Sequence, residues 1–372
     1  MFRKPGYRRR MPREDRQVVH KGRGATFNPK VRFESSDVDP FDDGWGSLPR
    51  ARADDPPPRT EVTPDASRSV IARNTSPDIP FDRSINPYRG CEHGCVYCYA
   101  RPTHAYLGLS PGLDFETRLV AKFEAASLLE RELARPGYAC QPIALGTNTD
   151  PYQPVERRLR ITRSVLEVLA RCRHPLTIVT KSAAVVRDID LLAPMARQDL
   201  ARVAISVTTL DGDLARRLEP RAAAPHRRLQ AMQQLSEAGV PTAVMVAPII
   251  PALTDHEIEA IIEAAAAAGA SSAGYVLLRL PHEVKELFED WLAAHAPGRA
   301  AHVLSLVRQC RGGRLYDATF GRRMRGEGAY AQLIERRFTA AKRRLGLAGA
   351  TRPLRTDLFA PPDPDARQLR LL

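Results

Sequence analysis

The 372 residues, 43% of them hydrophobic and only 6% aromatic, suffice for one large α/β core with extensions or for two smaller domains. The formal charge of +13 sits at the ends: residues 1–32 hold 11 Lys and Arg against two acids, residues 311–346 hold ten against three, and the stretch between is slightly acidic. No run of 18 apolar residues occurs and no apolar stretch follows the charged MFRKPGYRRR start, so neither a transmembrane helix nor a secretory signal is expected, and a cytoplasmic protein without membrane contact is.

Residues 1–75 read as a disordered basic extension. GRGATFNPK, SSDVDPFDDGWG and DDPPPRT are rich in Pro, Asp, Arg and Gly, keep no helical or strand period, and carry Phe33, Phe41 and Trp45 as isolated apolar points. A basic arm of this kind gathers polyanions by counterion release or is simply solvated, and composition leaves both open.

From residue 80 an alternation of strand and helix begins. Strands are expected at Ser84–Arg89, Pro142–Gly146, Leu176–Thr180, Val203–Val207, Thr242–Ala247 and Gly274–Leu278. Helices are expected at Arg157–Arg171, Ala184–Met195, Pro225–Ala238, Asp255–Ala268 and Glu283–His295. Continuous apolar strands separated by helices imply a parallel sheet covered by helices, as a partial barrel or a doubly wound sheet. In either, the site lies at the C-terminal ends of the strands, where this chain places Thr147–Asp150, Lys181, Thr208 and Arg279. Residues 80–300 form this core and residues 301–350 a helical extension. In the extension, 320–346 reads as a basic amphipathic helix burying Leu333, Ile334, Phe338 and Leu345. Residues 351–372 are a tail that wraps or frays.

Three of the six cysteines crowd into RGCEHGCVYCYAR as Cys91, Cys95 and Cys98, spaced C-x3-C-x2-C on the loop after the first strand. Cys140, Cys172 and Cys310 are scattered, unlike a disulfide framework. Three thiolates on one loop hold three irons of a [4Fe-4S] cube and leave the fourth open to a substrate. Gly90 and Gly94 would let the loop backbone approach the sulfides. The competing arrangement is zinc with His93 as the fourth ligand.

With Tyr97 as the aromatic before the last cysteine, the motif resembles the signature of the radical S-adenosylmethionine (SAM) superfamily. CVYCYAR, TNTDPYQPVE and TKS resemble its spore photoproduct lyase-related branch. The resemblance covers roughly residues 80–300 and implies an α/β fold, a partial (β/α)6 TIM-type barrel. It implies a [4Fe-4S] cluster on Cys91, Cys95 and Cys98, and SAM, which the reduced cluster cleaves to methionine and a 5′-deoxyadenosyl radical that abstracts hydrogen from a substrate. It assigns SAM contacts to Tyr97, Thr147, Asn148, Thr149, Lys181 and Ser206, although the family's Gly-Gly-Glu is absent after the second strand, where a plain strand-to-helix turn is the other reading. It assigns radical return to Tyr99. The lyase's partner cysteine falls near Thr147, where this chain has none, so the lyase's own route to thymine-dimer repair is not expected. A low-potential electron donor of flavodoxin or ferredoxin type is implied. Nucleic acid is a candidate substrate for a lyase-like reaction, from the branch and the basic ends, and Arg279 is a candidate anion contact. The alternative is a non-enzymatic Fe–S or zinc protein that binds nucleic acid through those ends.

Overall fold

The computed structural model describes residues 19–33, 58–349 and 352–362. In chain order the strands among them are β1 (Glu61–Pro64), β2 (Ile71–Arg73), β3 (Arg83–Ile85), β4 (Tyr88–Arg89), β5 (Arg118–Ala121), β6 (Ile143–Leu145), β7 (Leu176–Thr180), β8 (Ala201–Ser206), β9 (Thr242–Ile249) and β10 (Ser272–Leu277). Six of them, β3, β6, β7, β8, β9 and β10, run parallel in that spatial order, and β2 closes one edge antiparallel to β3. The small β1, β5 and β4 form a separate three-stranded sheet. Mixed α/β architecture with a parallel sheet is therefore what the chain builds.

The helices are α1 (Leu113–Thr117), α2 (Ala125–Leu133), α3 (Glu156–Leu159), α4 (Ile161–Arg171), α5 (Ile189–Ala196), α6 (Gly212–Leu218), α7 (Pro225–Glu237), α8 (Ile258–Ala267), α9 (Val284–His295), α10 (Pro297–Gln309) and α11 (Gly328–Arg344). In α4 the buried Ile161, Val165, Leu166, Val168 and Leu169 recur at helical spacing and join the core that the sheet residues form. Each fully buried Val or Leu there contributes about 1.5–3 kcal/mol. Pro225 opens α7 and Gly239, at φ 79°, follows its end.

Along β7 the residues alternate between buried Leu176, Ile178 and Thr180 and half-buried Thr177 and Val179, and β9 and β10 alternate likewise. The buried set meets the helices.

Several expectations need revision. The first strand is split, because Pro87 cannot donate to a ladder: β3 stays in the barrel and β4 turns into the small sheet. The helix expected at 157–171 breaks at Arg160, whose φ of 54° separates α3 from α4. The basic helix begins at Gly328, after a turn, and buries Ala331, Ile334, Phe338 and Ala341 at spacings of three and four. Leu333 lies off that stripe and is 49% exposed. Helix α10 was not among the individual helices expected, although most of it lies in the helical extension expected at 301–350.

Residues 1–18 and 34–57 of the expected extension, with Phe41 and Trp45, lie outside the described residues. In the described segment 19–33, residues 23–27 are buried against the cysteine loop rather than solvated, because the N–H groups of Gly24 and Ala25 find partners there. Residues 352–362 of the tail cross the N-terminal end of the barrel. Phe359 packs on Tyr138 and His174, and Ala360 N donates to Cys172 O. No helix among the described residues is long and apolar enough to cross a membrane.

His174 is fully buried under this tail. Its Nδ1 donates to Pro175 O (3.0 Å) and its Nε2 accepts from the Tyr138 hydroxyl (2.9 Å), so the ring is neutral. Burial lowers its pKa to about 4. As pH falls below 6.5 the unfolded chain takes up this proton first, so the stabilisation is complete above pH 6.5 and is lost toward pH 4, amounting to roughly 3 kcal/mol. Urea midpoints between pH 7 and 4.5 are expected to fall for the wild type and to fall less steeply for His174→Gln. Equal slopes would show that the ring does not titrate on unfolding.

Candidate active site

All six parallel strands end at one rim. There the chain delivers Asn86 after β3, Thr147–Thr149 after β6, Lys181 after β7, Ser206 and Thr208 at and after β8, Ala247 within β9, and Arg279 after β10. The cysteine loop crosses this rim.

The loop is held from behind by one ion pair. Arg101, fully buried, donates to Cys95 O (2.9 Å), Gly94 O (3.1 Å), Pro111 O (3.1 Å), Gly112 O (2.9 Å) and the Glu116 carboxylate (2.5 Å). Glu116 also accepts the N–H groups of Gly24 (2.9 Å) and Ala25 (2.8 Å), while Arg23 donates to its carbonyl (2.8 Å). Gly24 presses so close that a Cβ would lie 1.8 Å from Gly94 O. Missing Cβ atoms at Gly90 and Gly94 face Phe115 O and the Glu116 carboxylate, so these glycines also let the loop pack on α1.

From the front a second buried carboxylate, Glu219, organises the rim. It accepts from Tyr97 OH, from Thr208 Oγ1 (2.6 Å) and from Arg228, and Lys181 Nζ lies 3.5 Å away. Burial alone would raise its pKa, but Arg228 and Lys181 overcome this and hold it well below the usual carboxylate range. Lys181 also donates to Ala247 O (2.8 Å) and stands 5.8 Å from the Tyr97 ring centroid. Arg228, 1% exposed, donates to Ser206 O (3.0 Å). Lys181, Tyr97 and Ser206 therefore come together, through a residue that sequence reasoning did not single out. Its only signal was an acid set among Arg216, Arg217 and Arg221.

The segment after β6 is used differently by its three candidates. Thr149 Oγ1 donates to Gly90 O (2.7 Å) and receives Gln153 Nε2 (3.1 Å), which makes it a strut of the cysteine loop. Thr147 and Asn148 are half-buried beside Asn86, whose Oδ1 accepts the Asn148 N–H (2.8 Å). Gln153 is buried beneath the loop, where its side-chain oxygen accepts Glu92 N–H (2.8 Å), and the buried Tyr152 donates its hydroxyl to Asp188 (3.0 Å). Asp150 accepts from Thr180 Oγ1 (2.7 Å) and Lys181 N (2.8 Å), with His93 Nδ1 at 3.3 Å. Tyr99 is 46% exposed at the mouth, donates to Thr147 O, and carries the Arg279 guanidinium 5.0 Å above its ring.

The donor set fits an iron–sulfur cluster. Burial pushes the thiol pKa values of Cys91, Cys95 and Cys98 up, and Asp150 pushes Cys91 and Glu219 pushes Cys95 further. Thiolates here are stable only against a positive partner such as cluster iron. His93 Nδ1 lies 3.3 Å from the Asp150 carboxylate, which sets the orientation of its ring on the loop.

Comparison with known proteins places these features. The family model of the Radical SAM superfamily matches residues 85–265. An uncharacterised protein of Mycobacterium tuberculosis is 36% identical over 290 residues, covering 77% of this chain and 80% of its own. An uncharacterised protein of Methanocaldococcus jannaschii is 29% identical over 173 residues, covering 46% and 62%. Among solved structures, spore photoproduct lyase complexed with dinucleoside spore photoproduct superposes with a TM-score of 0.55 at 15% identity, over 76% of this chain and 79% of that one. A variant of that lyase with bound AdoMet and dinucleoside spore photoproduct gives 0.55 at 15%, over 76% and 78%.

Glu219→Gln keeps an acceptor for Tyr97 and Thr208 but leaves Arg228 buried without a counter-charge, so a loss of about 3–5 kcal/mol is expected in urea unfolding. Unchanged stability would remove Glu219 as the anchor of the rim.

Proposed function

The chain belongs to the radical SAM superfamily and is an enzyme that uses a [4Fe-4S] cluster and SAM; on that premise we propose that it acts on nucleic acid by a lyase-like, hydrogen-abstracting reaction at the barrel mouth. The observation that carries this is the convergence of the three-cysteine loop with Lys181, Tyr97 and Ser206 on one rim, beside the exposed Tyr99 and Arg279. When bound, the reduced cluster and SAM supply a 5′-deoxyadenosyl radical for hydrogen abstraction.

Each residue has a definite part in this reading. Cys91, Cys95 and Cys98 ligate three irons. Lys181, fixed by Glu219 and Ala247 O, offers its ammonium to the SAM carboxylate, with Ser206 beside it. Tyr97 presents its ring next to that ammonium. Thr147 and Asn148 face the SAM amino end, and Thr149 braces the cysteine loop through Gly90. Tyr99, exposed at the mouth, takes part in radical return. Arg279, stacked on Tyr99, holds an anionic group of the substrate. The basic ends of the chain add charge attraction for a polyanion. Enzymes of this superfamily need a reductant, and a flavodoxin or ferredoxin is the partner proposed here.

Two measurements test the reading. Anaerobic protein reconstituted with iron and sulfide, then given dithionite and SAM, is expected to form 5′-deoxyadenosine, and Cys95→Ala none. A fully loaded cluster that forms none sinks the assignment of these residues. Single-stranded and duplex DNA are expected to bind at low salt, to weaken as salt rises, and to bind Arg279→Ala about tenfold more weakly. Flat, weak binding at low salt rejects nucleic acid while leaving SAM cleavage intact.

A further inference from the structure

The segment GRGATFNPK, residues 22–30, forms no helix or strand, lies outside the core expected at 80–300, and has no part in the reaction proposed at the mouth. Its first half nevertheless grips the cysteine loop. Arg23 donates to Glu116 O, and Gly24 and Ala25 donate to the Glu116 carboxylate, which also receives Arg101, the donor to Gly94 O and Cys95 O. Ala25 and Phe27 share an apolar cluster with Cys95, Val96 and Tyr97. The second half grips the chain that follows the cysteines. Asn28 and Asp114 exchange two hydrogen bonds (3.1 and 3.0 Å), and the Ser110 hydroxyl donates to Pro29 O (2.7 Å). Beyond them Arg32 donates to Pro102 O (2.9 Å) and pairs with Glu283 (2.6 Å).

A second observation is independent of these hydrogen bonds. Gly24 is not in the left-handed region, so its missing Cβ serves close approach alone, and the space is filled by Gly94 O. Gly112, at φ −81°, does the same from the other side: a Cβ there would lie 2.1 Å from Phe27 O. One glycine of the segment thus faces the cysteine loop, and one glycine beyond the loop faces the segment. Docking of a chain end in general needs only the apolar contacts of Ala25 and Phe27. It accounts neither for the two glycines nor for hydrogen bonds at both ends of the segment.

We propose that residues 23–32 belong to the cluster site as a strap, which sets the position of the cysteine loop and shields one flank of it from water and chelators. Retention of the cluster, and its potential, then depend on Gly24 and Asn28. Both act through the loop, as positioning residues: Gly24 by its contact with Gly94 O, Asn28 by tying the strap to Asp114 on α1. Contacts outside the ligands hold a metal centre in place, and hydrogen bonding and solvent exposure around the sulfurs set the potential of an iron–sulfur cluster. The inference rests on the cluster assigned to Cys91, Cys95 and Cys98 and is independent of the substrate.

The test uses the full-length protein, reconstituted anaerobically with iron and sulfide, without SAM. Wild type is compared with Gly24→Ala, Asn28→Ala and Phe359→Ala. The last loosens the N-terminal end of the barrel and controls for a general loss of stability, read from urea midpoints. Release of iron to a ferrous chelator is expected to be about tenfold faster in Gly24→Ala and a few-fold faster in Asn28→Ala, because each lets the strap open locally. In Phe359→Ala it is expected to keep the wild-type rate whatever the fall in its urea midpoint. The cluster's midpoint potential is expected to rise in Gly24→Ala, because water at the flank favours the more negatively charged reduced cluster, and to stay in place in Phe359→Ala. A Gly24→Ala protein that folds but takes up no cluster supports the strap, and Asn28→Ala then carries the comparison of rates. Wild-type release and potential in both strap variants, or release that follows the urea midpoint across all four proteins, overturns the proposal. A wild type that takes up no cluster overturns the cluster assignment and the strap with it, whereas a loaded wild type with indifferent strap variants overturns the strap alone.

Discussion

The site depends on the Arg101–Glu116 pair, both partners fully buried. A buried ion pair repays its desolvation only when its remaining donors and acceptors are satisfied. Here Arg101 gives hydrogen bonds to four carbonyls as well as to the carboxylate, and Glu116 takes two further N–H groups. The pair contributes position more than stability. It fixes the carbonyls of Gly94 and Cys95 and the backbone of Gly24 and Ala25 against one another, and so fixes where the thiols point.

Glu219 does for the opposite side of the loop what Glu116 does behind it. Each carboxylate is offset by an arginine of its own, Arg228 in front and Arg101 behind. The loop is thus clamped between two internally neutral networks, and Lys181 is left with charge to spare at the rim. That arrangement suits a site that must take up an anionic thiolate cluster and an amino acid carboxylate without either being repelled.

The barrel was legible in the sequence because β-branched apolar runs with glycine and polar punctuation mark parallel strands directly; β7 coincides with the run that announced it, LTIVT. The cysteine spacing was legible because all three thiols lie on one loop. What holds them was not. Gly24 and its carboxylate partner are 92 residues apart, and Tyr97 is 122 from Glu219. Contacts at that range leave no local period. The stretch around Gly24 looked unstructured for the same reason: a Gly- and Arg-rich segment with no apolar rhythm is held by backbone hydrogen bonds, to which composition is blind. The side chains after β6 were the most ambiguous. Thr149 and Gln153 turned inward as braces while Thr147 and Asn148 stayed half-buried near the rim, a division that depends on the turn geometry rather than on residue type.

The backbone contact of Gly24 with the cysteine loop has a consequence for biogenesis. This segment leaves the ribosome long before the loop it covers, and its seat is complete only once Arg101 and Glu116 have paired. Its place is therefore taken late, although the segment is made early.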